Sequence, residues 1–192
     1  ATDHLDSSEH ERLLARIATP AAKYFNCSRV PAVVFEALQC HGGNGFIEEN
    51  PMARLHREAP LNSVWEGTSN MMCMDVRRAM LKDPRTIDAL LAELRQAAGQ
   101  DRRFDALLDR TERMVRDGVG DEFLARPMTE AVARALQAAE LLRHSAPEVA
   151  DLFLAPRGAD AGGAWGSHFG TLGRAASAAA ARRIVERAAV AR

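Results

Sequence analysis

The sequence has little of the chemistry on which secreted or membrane-embedded folds depend. Its 192 residues include three cysteines, Cys27, Cys40 and Cys73, whose spacing fits neither a disulfide framework nor a zinc site. No apolar run approaches the roughly 18 residues of a membrane span. The first twenty residues are polar and acidic, which is not the pattern of a secretory signal. We therefore expect a protein of the reducing cytoplasm without a membrane segment.

Aromatic residues are also scarce, at 5%, and no stretch of six residues alternates apolar with polar side chains as strands do. Apolar residues recur instead at helical spacing, and prolines and glycines mark where the helices begin and end. This pattern predicts an all-α fold. The predicted helices cover residues 9–39 (one long helix or two joined segments, bent at Pro31), 51–57, 67–81, 83–98, 101–117, 128–142, 147–154 and 174–190, with a loop at 60–63 and a glycine-rich stretch at 157–173.

Charge is balanced overall but unevenly distributed. Residues 1–75 carry 6 basic and 10 acidic side chains, whereas residues 76–192 carry 19 basic and 16 acidic ones. The second half therefore has a balance of +3, and nearly all of its basic residues are arginines. Such a surplus is typical of a solvated surface and is too small to indicate nucleic-acid binding by itself.

Histidine, serine and cysteine show no arrangement of a hydrolase or a metal site. The six histidines lack metal-ligand spacing, and no Ser/His/Asp or Cys/His signature is present. We therefore expect no metal centre.

The segment Gly42-Gly43-Asn44-Gly45 follows the first predicted helix. Glycine permits positive φ and close approach of another group. The simpler interpretation is a helix C-cap and turn. The alternative is a phosphate cradle formed by backbone amides, with Gln39 nearby.

A second candidate site is the segment Trp65-Glu66-Gly67-Thr68-Ser69-Asn70, at the start of a predicted helix. One interpretation of Glu66 is an acidic first-turn residue that complements the helix dipole, worth about 0.3–1 kcal/mol. The other is a general base at a loop–helix junction beside an apolar tryptophan. The hydroxyl and amide groups that follow, together with the helix N-terminus, suit a polar ring or a phosphate. The residues alone leave both interpretations open.

Three segments in this order and spacing resemble the C-terminal domain of acyl-CoA dehydrogenases: residues 39–46 (QCHGGNGF), 54–58 (RLHRE) and 65–70 (WEGTSN). Residues 19–23, 57–63, 70–76 and 99–105 resemble the AidB-like, alkylation-response branch of that family. The resemblance is strong over residues 12–82, recognisable to about residue 105 and thin afterwards. It implies a helical bundle at residues 1–82 and an additional helical C-terminal domain at residues 83–192.

The resemblance also implies an activity and a cofactor. Glu66 matches the carboxylate that removes the α-proton of an acyl-CoA thioester, while the β-hydride passes to FAD. Thr68 and Asn70 match positions on the flavin side of that site, and Trp65 and Gly67 belong to the same cofactor-binding segment. Gln39, Gly42 and Gly43 match the segment that contacts the ADP half of FAD in a neighbouring subunit.

The family further implies partners. A shared FAD site requires a homo-oligomer, a dimer or a tetramer, and electrons leave to an electron-transferring flavoprotein or to dioxygen. The resemblance begins at the family's third domain, so we expect residues 1–192 alone to be inactive.

A second hypothesis is a DNA-binding flavoprotein with vestigial dehydrogenase activity. In the AidB-like branch, binding of double-stranded DNA is attributed to the C-terminal extension. The candidate contacts here are Arg102, Arg103, Arg182 and Arg183.

Overall fold

A computed structural model describes residues 9–155 and 178–189, and these residues confirm the all-α prediction because they contain helices and no strand. The helices are α1 (Glu9–Cys40), α2 (Pro51–Glu58), α3 (Ser69–Lys82), α4 (Arg85–Arg95), α5 (Arg102–Asp117), α6 (Ala125–His144), α7 (Pro147–Leu154) and α8 (Ala178–Ala188). Short 3₁₀ helices occupy Gly42–Gly45, Ala59–Ser63 and Glu122–Leu124. No helix in this described part of the chain is long and apolar enough to cross a membrane.

The first helix continues through both of its prolines, Pro20 and Pro31. Proline removes one backbone donor and crowds the preceding turn, yet α1 continues because one face of it is buried, including Ile17, Ala21 and Leu38. Of the two predicted alternatives, the single long helix is therefore correct. The bend predicted at Pro31 stays a prediction.

Local capping sets the start of α2. Asn50 has an extended backbone, and its Oδ1 accepts a hydrogen bond from the amide of Met52 at 3.0 Å, while Pro51 occupies the first turn, where its missing donor costs nothing. The segment 60–63, predicted to be a loop, instead lies in the 3₁₀ helix Ala59–Ser63. That prediction was wrong because Pro60 lies in the first turn of this helix, where proline is tolerated.

The chain divides into two compact units, the first of which comprises residues 1–90 and 114–133. In this unit α1 packs against α2, α3 and the 3₁₀ helix Ala59–Ser63. Arg29 stacks over the Phe25 ring at 3.5 Å and pairs with Glu130. Arg77 donates to the carbonyl groups of Val119 and Gly120, at 2.9 Å each. Residues 114–133 are therefore bound to the helices of the first unit by polar contacts.

The second unit comprises residues 91–113 and 134–192. Its core includes Leu94, Phe104 and Ala139, each without exposed surface. Arg143 pairs with Glu93 at 2.5 Å. The glycine-rich stretch 157–173 and the start of the helix predicted at 174–190 lie outside the described residues. The domain boundary predicted at residues 82/83 stays a prediction.

Candidate functional site

A sharp reversal of the chain carries Glu66. It lies between the 3₁₀ helix Ala59–Ser63 and α3, and both Glu66 (φ 55°) and Gly67 (φ 100°) adopt positive φ. Gly67 requires glycine because a side chain is rarely tolerated at such an angle. Glu66 is the one non-glycine residue of the described chain with positive φ. A non-glycine residue in the left-handed region costs about 1–3 kcal/mol, and strain of this kind concentrates at functional sites.

The Glu66 side chain is exposed and lines an open cleft of about 580 Å³. The cleft lies within the first unit, between α1 and α3. Its lining residues are Arg12, Ala15, Arg16, Thr19, Pro20, Lys23, Glu66, Met72 and Asp75. Three cationic side chains and two carboxylates give the lining a surplus of one positive charge. The positive surplus favours an anionic ligand in the cleft. The exposed Glu66 carboxylate could then accept a proton from that ligand.

Lys23 connects α1 to the segment that precedes Glu66. Its Nζ donates to the carbonyl oxygen of Asn62 and, at 3.0 Å, to that of Trp65. The Trp65 ring itself is 55% exposed. The ammonium therefore bridges two carbonyl groups of the loop, and the second of them belongs to the residue directly before Glu66.

The N-terminus of α3 brings together the three polar residues that follow Gly67. Thr68 is the N-cap residue but makes no side-chain capping hydrogen bond. Ser69 Oγ lies 2.9 Å from Ser28 Oγ on α1, and Asn70 Oδ1 accepts from Arg126 at 3.0 Å. Of the predicted contacts, Thr68 therefore offers a hydroxyl for a ligand, whereas the carbonyl oxygen of Asn70 already has a donor.

A charged pair also lines the cleft. Two parallel hydrogen bonds, at 2.7 and 2.8 Å, join the Arg16 guanidinium to the Asp75 carboxylate. These bonds hold the pKa of Asp75 below its ordinary value and raise the pKa of Arg16. Cys73, on the same helix as Asp75, is buried, and desolvation raises the pKa of its thiol, so it suits packing better than nucleophilic chemistry.

The glycine turn lies elsewhere on the first unit. Gln39, Gly42 and Gly43 are exposed, and none of them lines the Glu66 cleft. Gln39 follows Lys23 by 16 residues along α1, a rise of about 24 Å along the helix. Trp65, Gly67, Thr68 and Asn70 adjoin Glu66 in the chain, but of the predicted site residues Glu66 alone lines the cleft, and Gln39, Gly42 and Gly43 lie at the other end of α1.

The backbone of this turn is exposed at Gly42 and Gly43. A Cβ built at Gly42 or Gly43 meets no atom within 4 Å, and Gly42 has φ +57°. The backbone of Gly42 and Gly43 is therefore open on the side where a side chain would stand, whereas the Gln39 amide donates to Glu36 Oε1 at 3.3 Å. Thr68, at the α3 N-terminus, belongs to the Glu66 turn and not to this one.

The four predicted DNA contacts differ in their surroundings. Arg103 pairs with Asp101 and Asp151, at 2.6 and 2.8 Å, and Arg183 pairs with Glu148 at 2.7 Å. Arg102 and Arg182 are exposed, and no ion pair of residues 9–155 and 178–189 involves them. Two of the four arginines are thus largely neutralised by carboxylates, and DNA binding stays a prediction.

A metal centre finds no support among the residues that the structure describes. Within them, no group of three His, Cys, Asp or Glu side chains could hold a metal ion.

Comparison with known proteins defines the family. Residues 1–81 match the family described as acyl-CoA dehydrogenase, C-terminal domain. Residues 1–81 are therefore an acyl-CoA dehydrogenase C-terminal domain, and the recognition from the sequence segments is confirmed.

Individual relatives support the predicted branch. AidB of Escherichia coli K12 is 39% identical over 140 residues, which cover 73% of this chain and 26% of AidB. Acyl-CoA dehydrogenase family member 11 of Caenorhabditis elegans is 25% identical over 149 residues, 77% of this chain and 24% of that protein. Mitochondrial isovaleryl-CoA dehydrogenase of Oryza sativa subsp. japonica is 41% identical over 59 residues, 31% of this chain and 14% of that enzyme. The chain thus spans about a quarter of the first two relatives.

Three charged contacts of the site were missed by reasoning from sequence. They are Lys23 on the Trp65 carbonyl, Arg126 on Asn70, 56 residues away, and Arg16 on Asp75, 59 residues away. The scarcity of lysine, with Lys23 and Lys82 alone among 25 cationic residues, was a signal for Lys23. No local pattern indicates a contact as distant as that of Arg126.

Proposed function

We propose that this chain supplies the general base of an FAD-dependent acyl-CoA dehydrogenase, and that Glu66 is that base. The observation that carries the proposal is the position of this carboxylate. Glu66 is exposed in a cleft and held at positive φ on a turn directly before α3. A residue that served only to complement the helix dipole would not require a strained backbone, because ordinary extended or helical angles also place a carboxylate there.

The chemistry assigned to Glu66 is proton removal. The thioester carbonyl makes the α-hydrogen of an acyl-CoA acidic, and a carboxylate at about 2.6–3.2 Å from the proton-bearing atom suffices as acceptor. Glu66 takes the α-proton, and the electron pair left on the α-carbon forms the new carbon–carbon double bond. FAD, when bound, supplies the acceptor for the hydride that leaves the β-carbon.

The other predicted residues divide into two groups. Trp65, Gly67, Thr68 and Asn70 would hold the flavin half of FAD beside Glu66, with Thr68 offering its hydroxyl and the α3 N-terminus. Gln39, Gly42 and Gly43 would hold the ADP half of a second FAD. Because these two groups lie apart in one chain, the assignment requires a homo-oligomer, a dimer or a tetramer, in which one copy completes the cofactor site of another.

The substrate and the electron acceptor follow from the same assignment. The cationic surplus of the cleft lining suits an anionic substrate such as an acyl-CoA. The reduced cofactor requires an oxidant, and an electron-transferring flavoprotein is the partner that the family resemblance implies.

The test is anaerobic reduction of the flavin in the full-length protein that carries this chain, with an acyl-CoA such as isovaleryl-CoA. Glu66→Gln retains the size of the side chain but cannot accept the proton, so we expect flavin reduction to slow by about 10²–10⁴-fold. Glu49→Gln, at an exposed position of the same unit, is the control and should reduce at the wild-type rate. Equal rates for wild type and Glu66→Gln would overturn the proposal.

A further inference from the structure

The turn that carries Glu66 has few interactions of its own. Within the described residues, no hydrogen bond involves Glu66 or Gly67. Upstream, the amides of Val64 and Trp65 both donate to the Leu61 carbonyl, at 2.9 and 3.2 Å. A strained backbone angle persists only where surrounding contacts stabilise it. The positive φ of Glu66 must therefore be maintained by the contacts of the neighbouring residues.

Lys23 holds the neighbour that matters most for this angle. The Trp65 carbonyl belongs to the peptide group that joins Trp65 to Glu66, and a peptide group is planar. A hydrogen bond that fixes this carbonyl oxygen therefore fixes the orientation of the whole peptide plane. Together with the position of the Glu66 carbonyl carbon, that orientation sets the φ of Glu66.

The second bond of Lys23 makes the arrangement rigid. The same ammonium donates to the carbonyl of Asn62, in the 3₁₀ helix that precedes the turn. Lys23 lies within α1, and its side chain is half-buried. A single cation on a packed helix thus fixes two points of the loop. An ammonium group, with three donors around a compact charge, suits two carbonyls of separate residues better than the planar guanidinium does.

We propose that Lys23 is a positioning residue for Glu66: its ammonium fixes the Asn62 and Trp65 carbonyls and so orients the turn that presents the Glu66 carboxylate to the cleft. The catalytic consequence rests on the proposed function of Glu66. The structural consequence does not, because the order of the loop can be measured without substrate or flavin.

The test uses three variants. Lys23→Met removes the donors but keeps an aliphatic stem, Lys23→Arg restores a cationic donor, and Lys82→Met is the control at the exposed other lysine. In residues 1–192 with Trp165→Phe, Trp65 is the sole tryptophan, so quenching of its fluorescence by acrylamide reports on the loop. Amide hydrogen exchange of residues 61–67 reports on the same segment independently.

We expect Lys23→Met to raise hydrogen exchange of residues 61–67 by at least 10-fold and to increase quenching of Trp65, whereas Lys82→Met changes neither. In the full-length protein, kcat should fall by about 10–100-fold with little change in KM, since a displacement of about 1 Å in a reacting group costs up to about 10²-fold. Lys23→Arg should recover part of both effects.

Three results would overturn the proposal. Unchanged loop exchange and Trp65 quenching in Lys23→Met would show that the ammonium does not hold the turn. A loosened loop with unchanged kcat would show that this hold does not position the base. Global unfolding of both Lys23 variants, seen as exchange throughout the chain, would assign Lys23 to stability alone. If Glu66→Gln is fully active while Lys23→Met loosens the loop, the base assignment fails and the hold of Lys23 on the loop stands.

Discussion

At the scale of single residues, the cleft depends on charges whose partners are visible in the structure but not in the sequence. The spacing of apolar residues predicts the helix that contains Asp75. That spacing does not indicate that Arg16, 59 residues earlier, pairs with Asp75. The same holds for Arg126 and Asn70. Reasoning from the sequence placed Glu66 at a loop–helix junction, because the glycine and the polar residues after it are local signals. It could not place Lys23, because that contact depends on how α1 packs beside the loop.

The Arg16–Asp75 pair gives a prediction about pH. Because the folded state holds the pKa of Asp75 below its unfolded value of about 3.9, its contribution to stability is fully present above that value. The contribution is lost as the pH falls through the lower, folded pKa. Arg16 is 46% exposed, so screening limits the contribution to at most about 1 kcal/mol. We expect Asp75→Asn to lower the free energy of unfolding at pH 7 by that amount or less.

Urea unfolding at pH 7 and near pH 3 checks this expectation. The difference between wild type and Asp75→Asn should shrink at the lower pH. Asp109→Asn, at an exposed position outside any ion pair of the described residues, should match the wild type at both. A difference for Asp75→Asn that is the same at both pH values would contradict the assignment.

At the scale of elements, proline, glycine and capping residues at the helix ends predicted most helices. The segments that were wrongly predicted have a physical explanation. The helix predicted at 147–154 agrees with α7, and Pro147 in its first turn explains the agreement. The segment 60–63 was misassigned because a proline in the first turn of a short helix resembles one in a loop. For Glu9–Cys40, burial of one face outweighs the cost of two internal prolines, and burial is not visible from local sequence.

The glycine turn provides a matched pair of substitutions. A Cβ at Gly45 would lie 2.3 Å from the backbone oxygen of Leu38, whereas one at Gly43 would meet no atom within 4 Å. Gly45→Ala must therefore displace backbone, and we expect it to lower the free energy of unfolding by about 1–3 kcal/mol. Gly43→Ala should stay within about 0.5 kcal/mol of wild type.

Thermal or urea unfolding of the two variants checks this prediction. Because Gly43 is also a proposed contact of the ADP half of FAD, flavin affinity of the full-length Gly43→Ala protein separates binding from stability. Equal stability of Gly45→Ala and Gly43→Ala would show that the turn is not packed as described.

At the scale of the whole molecule, the family match ends at residue 81, but the first compact unit also includes residues 114–133. Contacts of Arg77, Arg126 and Glu130 join this later segment to the family's helices. Such long-range contacts follow from how helices fold back on one another, which neither helical spacing nor family motifs encode. For that reason the all-α class could be predicted with ease, whereas the composition of the compact units could not.

The DNA-binding hypothesis also belongs to this scale. The ion pairs of the predicted contacts indicate which arginines are available to bind phosphate groups. If residues 83–192 bind duplex DNA, log affinity should fall by about 0.9 per phosphate contact for each log unit of salt. The exposed Arg102 and Arg182 should then matter most, and replacing either by Ala should reduce the salt slope by about one. Arg103→Ala should change the slope less, because Asp101 and Asp151 already neutralise it. Titration of the chain with a DNA duplex at several salt concentrations decides the matter, and a flat curve would contradict the hypothesis.

The central claim, that Glu66 removes a proton from the α-carbon of an acyl thioester, is tested most directly by exchange of that hydrogen with solvent deuterium. The flavin-loaded full-length protein is incubated with an acyl-CoA in deuterium oxide without an electron acceptor, and incorporation of deuterium at the α-carbon is followed by nuclear magnetic resonance. The account predicts rapid exchange by the wild type and exchange slower by about 10²-fold or more in Glu66→Gln. Exchange by Glu66→Gln at the wild-type rate would contradict it.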